Sequence, residues 1–423
     1  MTYFRRIIDD ELDELFEGIA AIAIEGAKAI GKTETAIQRA KTIYQLDDPA
    51  QQALLRADPN RILIGEKPIL IDEWQRMPET WDIIRRAVDK NPSPNQFILT
   101  GSATPISAPT HSGAGRIVRV RMRPFSIFER RLESPSVKLS SLLQNEKSPI
   151  NGETKVRLHD YVEMIVTSGF PGLRDLKGRP LRAQLESYIS RIVDRDFEEM
   201  GQIVRKPEAL KRWLAAYAAA TATTASMETI RNAATSGEEE KPNRTTVNLQ
   251  RDILERLWIL DSIPAWIPSR NYFSQLAHPD KHHLVDPALA AILLGVRSES
   301  LLEGEDSVIE IPRDGTLLGH LFESLVTQSI RVYAQKTESS VRHLRTKAGR
   351  QEIDLIIERA DNKVIGVEVK LTKTVTESDV KQLLWLKDKM GHDLLDAVII
   401  TTGNYAYRRK DGIAVIPAAL LGP

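Results

Sequence analysis

The chain has 423 residues, 42% hydrophobic and 27% charged, and its 58 Lys and Arg balance 58 Asp and Glu. That length exceeds one ordinary hydrophobic core, so about two or three domains are expected, and the neutral balance leaves nucleic-acid contact to local patches. With no cysteine, disulfides, thiol catalysis and thiolate zinc sites are excluded, and any metal must rest on oxygen ligands.

The N-terminus, Met1-Thr-Tyr-Phe-Arg-Arg6, lacks the apolar core of a signal peptide. No apolar run approaches the ~20 residues that span a bilayer, so a cytoplasmic protein with no membrane partner is expected. The short apolar run Ile19–Ile24 reads as a strand, and it leads into Gly26, Ala27, Lys28, Ala29, Ile30, Gly31, Lys32 and Thr33 ahead of a helix-like stretch. This is the spacing of a phosphate-binding loop. Its glycines let backbone N–H groups turn toward the β- and γ-phosphates of a nucleotide, Lys32 would neutralise phosphate charge, and the Thr33 hydroxyl would ligate Mg²⁺.

A second apolar strand ending in acids should follow, and Ile69-Leu-Ile-Asp72-Glu73 supplies it. Asp72 is expected to hold the metal through its water shell and Glu73 to orient the attacking water as base. The segment Glu79–Asp89 has helical spacing, and Gln96–Ser102 reads as a third strand whose Thr100 or Ser102 would sense the γ-phosphate. Strand–helix alternation implies an α/β fold with a mostly parallel sheet and nucleotide at its carboxyl edge. Next comes Ser112-Gly-Ala-Gly-Arg116, where Arg116 is a candidate arginine finger, acting in cis or from a neighbouring subunit of a homo-oligomer. In the strand Ile117–Arg123, Arg119, Arg121 and Arg123 share one face, which reads as a solvated face ahead of a nucleic-acid track.

These residues carry a family resemblance. Gly26–Thr33, Asp72-Glu-Trp-Gln75, Thr100-Gly-Ser-Ala103 and Arg121-Met-Arg-Pro-Phe-Ser126, continuing through Ser168-Gly-Phe-Pro-Gly172 and Tyr188–Asp196, resemble the prokaryotic AAA-like ATPases with a C-terminal domain of unknown function of the DUF4143 type. The resemblance covers nearly the whole chain. It implies ATP binding and Mg²⁺-dependent hydrolysis on an AAA-type core and leaves the physiological substrate undefined. The chain departs from the family at Lys28-Ala29 and at Glu34, neither of which removes a phosphate ligand.

The expected organisation is an ATPase domain over 1–135, a helical linker or lid over 136–206, a winged-helix-like domain over 207–310 and a C-terminal α/β domain over 311–423. Glu208–Ala220 and Ser226–Ala234 read as Ala-rich helices, Gly237–Pro242 as a polar break, and Asn243 as the cap of a third helix to about Leu257. Trp258–Ile267 has strand character, with Pro264 and Pro268 as breakers. Three short helices and a β-ribbon suggest the winged helix, as the resemblance also implies. Arg244, Thr245, Asn248 and Arg251 would face DNA, although the acidic run ahead of the third helix opposes close approach.

In the last domain, Gln351–Ile357 and Val364–Leu371 read as strands joined by a turn. A hairpin centred on Asp361 sets Asp354 opposite Glu368, with Ile353, Leu355, Ile357, Ile365, Val367 and Val369 on the core face and Asp354, Glu368 and Lys370 together on the other. Carboxylates gathered this way call for a compensating cation, so Asp354 and Glu368, with Glu323 from the helix Thr316–Tyr333, are candidate ligands of Mg²⁺ or Mn²⁺, and Lys370 a candidate catalytic base or phosphate stabiliser. The order helix, strand near Val341–Arg345, hairpin, helix Glu377–Met390 and strand Asp396–Thr401 resembles the restriction-endonuclease-like core, and its Asp…Glu-x-Lys signature matches at Asp354, Glu368 and Lys370. That implies a nuclease acting on DNA or RNA, or an ATP-driven switch whose nuclease-like domain only binds a partner. His278, His282 and His283 lack ligand spacing and read as surface residues, while Trp258, Trp266 and Trp385 read as packing anchors.

Overall fold

The computed structural model describes residues 3–103, 114–144, 150–235, 243–267, 278–302, 315–346 and 349–423. The predicted break Gly237–Pro242, the breaker Pro268, residues Ser112 and Gly113, and the expected boundary at 310/311 lie outside the described residues.

The N-terminal sheet is built from β1 (Ala21–Glu25), β2 (Thr42–Gln45), β3 (Ile69–Asp72), β4 (Phe97–Gly101) and β5 (Ile117–Arg121), in the order β2-β3-β4-β1-β5. Every pairing is parallel. β1, β3 and β4 are buried along their length because both faces are covered, with polar residues only at their carboxyl ends. One face carries Ile22, Ile24, Leu70, Ile98 and Val120 into the main core. The other sends Ala21, Ala23, Ile69, Ile71 and Leu99 against Trp74, Trp81, Ile84 and Val88. The helix Glu79–Lys90 therefore shows the expected i, i+3, i+7 apolar face at Trp81, Ile84 and Val88.

The middle region contains the helices Pro207–Ala219, Met227–Ala234 and Arg244–Arg256. Ser226 and Asn243 cap the second and third by accepting from Thr229 N–H and Thr245 N–H, as their residue types favour. The apolar run after them makes isolated antiparallel bridges, Leu260 with Leu284 and Ile263 with Lys281.

Among the described residues the C-terminal sheet has eight strands. To β6 (Val137–Lys138), β7 (Asn151–Glu153) and β8 (Ala265–Trp266) the chain adds β9 (Ser340–Arg345), β10 (Glu352–Glu358), β11 (Val364–Lys370), β12 (Leu394–Thr401), β13 (Tyr405–Arg408), β14 (Ala414–Pro417) and β15 (Leu421–Gly422). The order is β7-β13-β14-β12-β11-β10-β9-β8, with β15 and β6 paired separately. The linker expected over 136–206 is thus divided: β6 and β7 join C-terminal strands, and helices Leu158–Thr167 and Gly178–Arg191 follow. β8, from the middle region, extends the same sheet beside β9.

The helix Glu377–Met390 crosses between the parallel strands β11 and β12 and buries Val380, Leu383 and Leu386 on one face of the sheet. It approaches closely, since a Cβ on Gly366 would lie 2.5 Å from Leu386 Cδ2. The long helix Gly315–Lys336 covers the other face with Leu321, Phe322, Leu325 and Ile330. The β10–β11 register pairs Leu355 with Val367 and Ile357 with Ile365, which is the hairpin centred on Asp361. Ile353 differs from expectation: the β9–β10 ladder shifts between Ile353 and Ile356, and Ile353 packs with Ile356 and Val364 on the opposite face. Among the described residues no helix is long and apolar enough to cross a membrane.

Candidate active site

At the carboxyl end of β1 the chain turns through Gly26–Gly31 into the helix Lys32–Ile37. Gly26 has φ +152°, and a Cβ there would meet the Met122 carbonyl oxygen at 2.4 Å, so only glycine fits beside β5. Lys32 is buried and folds back, its Nζ donating to the carbonyls of Gly26 (2.9 Å) and Ala27 (2.7 Å). Burial draws its pKa down to about 8 against the opposing pull of Glu73 and Asp72. Thr33 Oγ1 donates to Asp72 Oδ1 at 2.8 Å, and Thr100 Oγ1 donates to the same oxygen. The three predicted residues Thr33, Asp72 and Thr100 therefore converge at the carboxyl ends of β3 and β4.

Glu73 leaves β3 in the left-handed region, φ 55°, which turns its side chain away from the strand axis. Its carboxylate accepts from Ser102 Oγ at 3.1 Å and from Gln75 Nε2, while Gln75 Nε2 also donates to Ser102 Oγ at 3.1 Å. Its backbone N–H reaches Thr100 Oγ1 at 3.4 Å. The loop is gripped from outside as well: Lys28 Nζ lies 2.6 Å from Asp196 and 2.9 Å from Glu199, and Tyr188 OH donates to the Lys28 carbonyl at 3.2 Å. A hydroxyl beside a carboxylate, in a loop where Lys32 has only carbonyl partners, is a donor set whose chemistry suits a magnesium ion.

The second constellation lies on the C-terminal sheet. Lys370 Nζ is 2.7 Å from Glu368 Oε2, and Val369 N–H donates to Asp354 Oδ2 at 2.9 Å, which brings the three signature residues together. Glu323 faces them from the long helix, and between Glu323 and Asp354 lies Lys281. Its Nζ is 2.8 Å from Glu323 Oε1, 3.2 Å from Asp354 Oδ1 and 3.8 Å from Glu352 Oε1. Burial, then the Asp354 charge, pushes Glu323 and Glu368 up to about 8. Burial alone would raise Asp354 too, but Lys281 and Lys370 outweigh it and hold the carboxyl below its usual range. Among the described residues no group of three His, Asp or Glu is arranged to hold a metal ion. The expectation that Glu323, Asp354 and Glu368 hold a divalent cation is corrected: an ammonium occupies the space between two of them, and as they stand the residues do not fit the metal.

Family models match residues 19–130 to an AAA domain, residues 318–421 to DUF4143, a domain of unknown function, and residues 158–300 to DUF8612, a further domain of unknown function. The chain joins an AAA domain to a C-terminal DUF4143 domain. Solved structures similar to it include the Walker-type ATPase PABY2304 of Pyrococcus abyssi, with 15% identity, a TM-score of 0.40 and coverage of 69% of this chain and 96% of that one. Another is the Aeropyrum pernix ORC2 protein in its ADPNP–ADP complexes, with 13% identity, a TM-score of 0.27 and coverage of 70% and 93%. A comparison with curated proteins finds no match.

Arg116 does not join the AAA-domain site. It precedes Ile117, which pairs with Ala21 at the amino end of β1, whereas the phosphate loop leaves the carboxyl end. Its Nε instead bonds Asp89 at 2.7 Å on the surface, so a role as arginine finger in cis is corrected. The arginine stripe is not a solvated face either. Arg121 NH2 and Arg123 Nε each lie 2.9 Å from Asp261, and Arg331 of the DUF4143 domain lies 3.0 Å from the same carboxylate. Arg119 stays half exposed over Trp81. His282 and His283 are buried, with His282 Nε2 2.7 Å from the Ala225 carbonyl and His283 Nδ1 3.2 Å from Ser324 Oγ.

Sequence reasoning missed Gln75, Asp196, Glu199, Asp261 and Lys281. Gln75 and Asp196 stand inside the motifs that carry the family resemblance, which was the available signal. Nothing local distinguishes Asp261 or Lys281, because their partners lie 70 residues or more away for Arg331 and Asp354.

Proposed function

We propose that the AAA domain binds MgATP at Gly26–Thr33 and hydrolyses it. The observation that carries this reading is the convergence of the Thr33 and Thr100 hydroxyls on one carboxylate oxygen of buried Asp72, next to the Lys32 loop. Bound phosphate would draw Lys32 Nζ off the Gly26 and Ala27 carbonyls, with the loop N–H groups and the start of the Lys32–Ile37 helix supplying further donors. Thr33 and Asp72 would hold the magnesium ion, whose charge would offset that building on the phosphate oxygens. Glu73 would accept a proton from the attacking water as its oxygen bonds to the γ-phosphorus and the bond to the β–γ bridging oxygen breaks. Ser102 and Gln75 orient that carboxylate.

For the DUF4143 domain the arrangement favours the reading of an ATP-driven switch whose nuclease-like domain binds a protein or nucleic-acid partner over metal-dependent cleavage, because the ammonium of Lys281 stands where cleavage needs a divalent ion. Asp261 supports coupling between the two ends, since it ties β5, directly behind Gly26, to the helix that carries Glu323. The exposed Arg244, Thr245 and Asn248 are the candidate nucleic-acid contacts. Phosphate release from ATP by purified protein tests the main reading: wild type turns ATP over with Mg²⁺, and Lys32→Ala abolishes both turnover and nucleotide binding. Equal turnover in Lys32→Ala would overturn it.

A further inference from the structure

Lys281 is an unusual lysine. Its side chain is 1% exposed, although a buried ammonium is costly unless carboxylates surround it. It belongs to neither strand of the Asp354–Glu368 hairpin: it comes from the middle region, where its N–H and carbonyl exchange reciprocal 2.9 Å hydrogen bonds with Ile263. The backbone is thereby pinned, and the ammonium is delivered to the carboxylates by the fold. We infer that Lys281 is the resident cation of this cluster, an internal counter-ion from the neighbouring region that excludes divalent metal from the DUF4143 carboxylates.

The donors and acceptors account for this. Two of the three ammonium protons serve Glu323 and Asp354, with Glu352 near the third. The second oxygen of Asp354 accepts from Val369 N–H. Glu368 Oε2 is held by Lys370, and Glu368 Oε1 is buried without a partner. Mg²⁺ needs only one or two carboxylates beside its waters, but each carboxylate here already faces an ammonium, at 2.8 Å for Glu323, 3.2 Å for Asp354 and 2.7 Å for Glu368. A divalent ion would also sit between two ammonium groups, so it would enter only if Lys281 left. The charge that a metal would neutralise is already opposed.

This inference rests on the non-cleaving reading of the DUF4143 domain, and its test separates the two. Nucleotide-free full-length protein is titrated with Mn²⁺ and bound ion is followed by electron paramagnetic resonance, for wild type, Glu368→Gln, Lys281→Met and Lys281→Met/Glu368→Gln. Wild type and Glu368→Gln should bind Mn²⁺ equally weakly. Lys281→Met should gain one site at least about tenfold tighter than wild type, lost again in the double variant. If Lys281→Met folds only when Mn²⁺ is present, the ion is replacing the ammonium, which supports the inference as well. A wild-type site that disappears in Glu368→Gln overturns it without any Lys281 variant, and so does a folded Lys281→Met with no new site. Plasmid cleavage measured in parallel addresses the other reading: Mn²⁺-dependent cleavage lost in Glu368→Gln would overturn the non-cleaving role, whereas a wild-type Mn²⁺ site lost in Glu368→Gln, without cleavage, would overturn the counter-ion alone.

Discussion

Asp261→Asn removes the charge that three arginines from two ends of the chain share. Asp261 is buried, and Arg121, Arg123 and Arg331 approach it to 2.9, 2.9 and 3.0 Å. At an effective dielectric constant of ~20, each contact is worth roughly 5 kcal/mol of gross attraction, and taking each ion out of water costs several kcal/mol. The intact cluster is therefore close to balance, and what can be measured is the loss on removing its centre. Three guanidinium groups left without a counter-ion should destabilise the protein by about 3–5 kcal/mol. Urea unfolding followed by tryptophan fluorescence is the assay, because Trp258 lies under the Arg121 guanidinium, 4.5 Å from its ring centre. Asp261→Asn should move the transition to lower urea, and adding Arg331→Met should recover part of the loss. Burial alone would raise the Asp261 carboxyl, but Arg121, Arg123 and Arg331 outweigh it and hold it well below the usual carboxylate range. Its contribution is thus present above the ordinary carboxylate pKa and lost as pH falls through the lower, folded value. The wild-type-minus-variant difference should stay flat from pH 8 to about 5 and shrink only in stronger acid. A cost under about 1 kcal/mol, or one unaffected by Arg331→Met, would refute the idea that this carboxylate ties the AAA domain to the DUF4143 domain.

Other outcomes follow from particular contacts. Gly26→Ala sets a methyl group 2.4 Å from the Met122 carbonyl, so it should abolish nucleotide binding and cost about 1–3 kcal/mol of stability; calorimetric ATP binding like wild type would contradict the loop geometry. Glu199→Gln removes one of two carboxylates held by Lys28 in the phosphate loop, so fluorescent ATP analogues should bind more tightly, and weaker binding would show that the carboxylates do not compete with phosphate. Arg116→Ala should leave turnover of dilute protein within about twofold of wild type, since the arginine makes a surface ion pair with Asp89 and a bond to the nearby Ala114 carbonyl; a large first-order loss would reinstate it in cis.

The phosphate loop and the acid-ended strand were legible because both are local patterns whose chemistry sets their spacing. The hairpin register was legible for the same reason: a turn centred on Asp361 dictates every pair. Ile353 was misread because a β-bulge changes the alternation without altering the sequence pattern. Arg121 and Arg123 looked like a solvated stripe because alternation reports which side chains share a face and says nothing of what covers it. Lys281 and Asp261 were invisible for a stronger reason, since each draws its role from partners on other elements of the fold. The histidines beside Lys281 were placed on the surface by their polar, Pro-punctuated context, yet backbone pairing of Lys281 with Ile263 carries them inside.

The most direct test of the central claim is the identity of the nucleotide held by Glu73→Gln after incubation with MgATP and rapid removal of free nucleotide. With Glu73 as the base, wild type should retain ADP or nothing, while the variant should retain intact ATP with turnover reduced by about 10²–10⁴-fold. ADP formed by Glu73→Gln at the wild-type rate would contradict the assignment and move the search for the base to another residue of the same sheet edge.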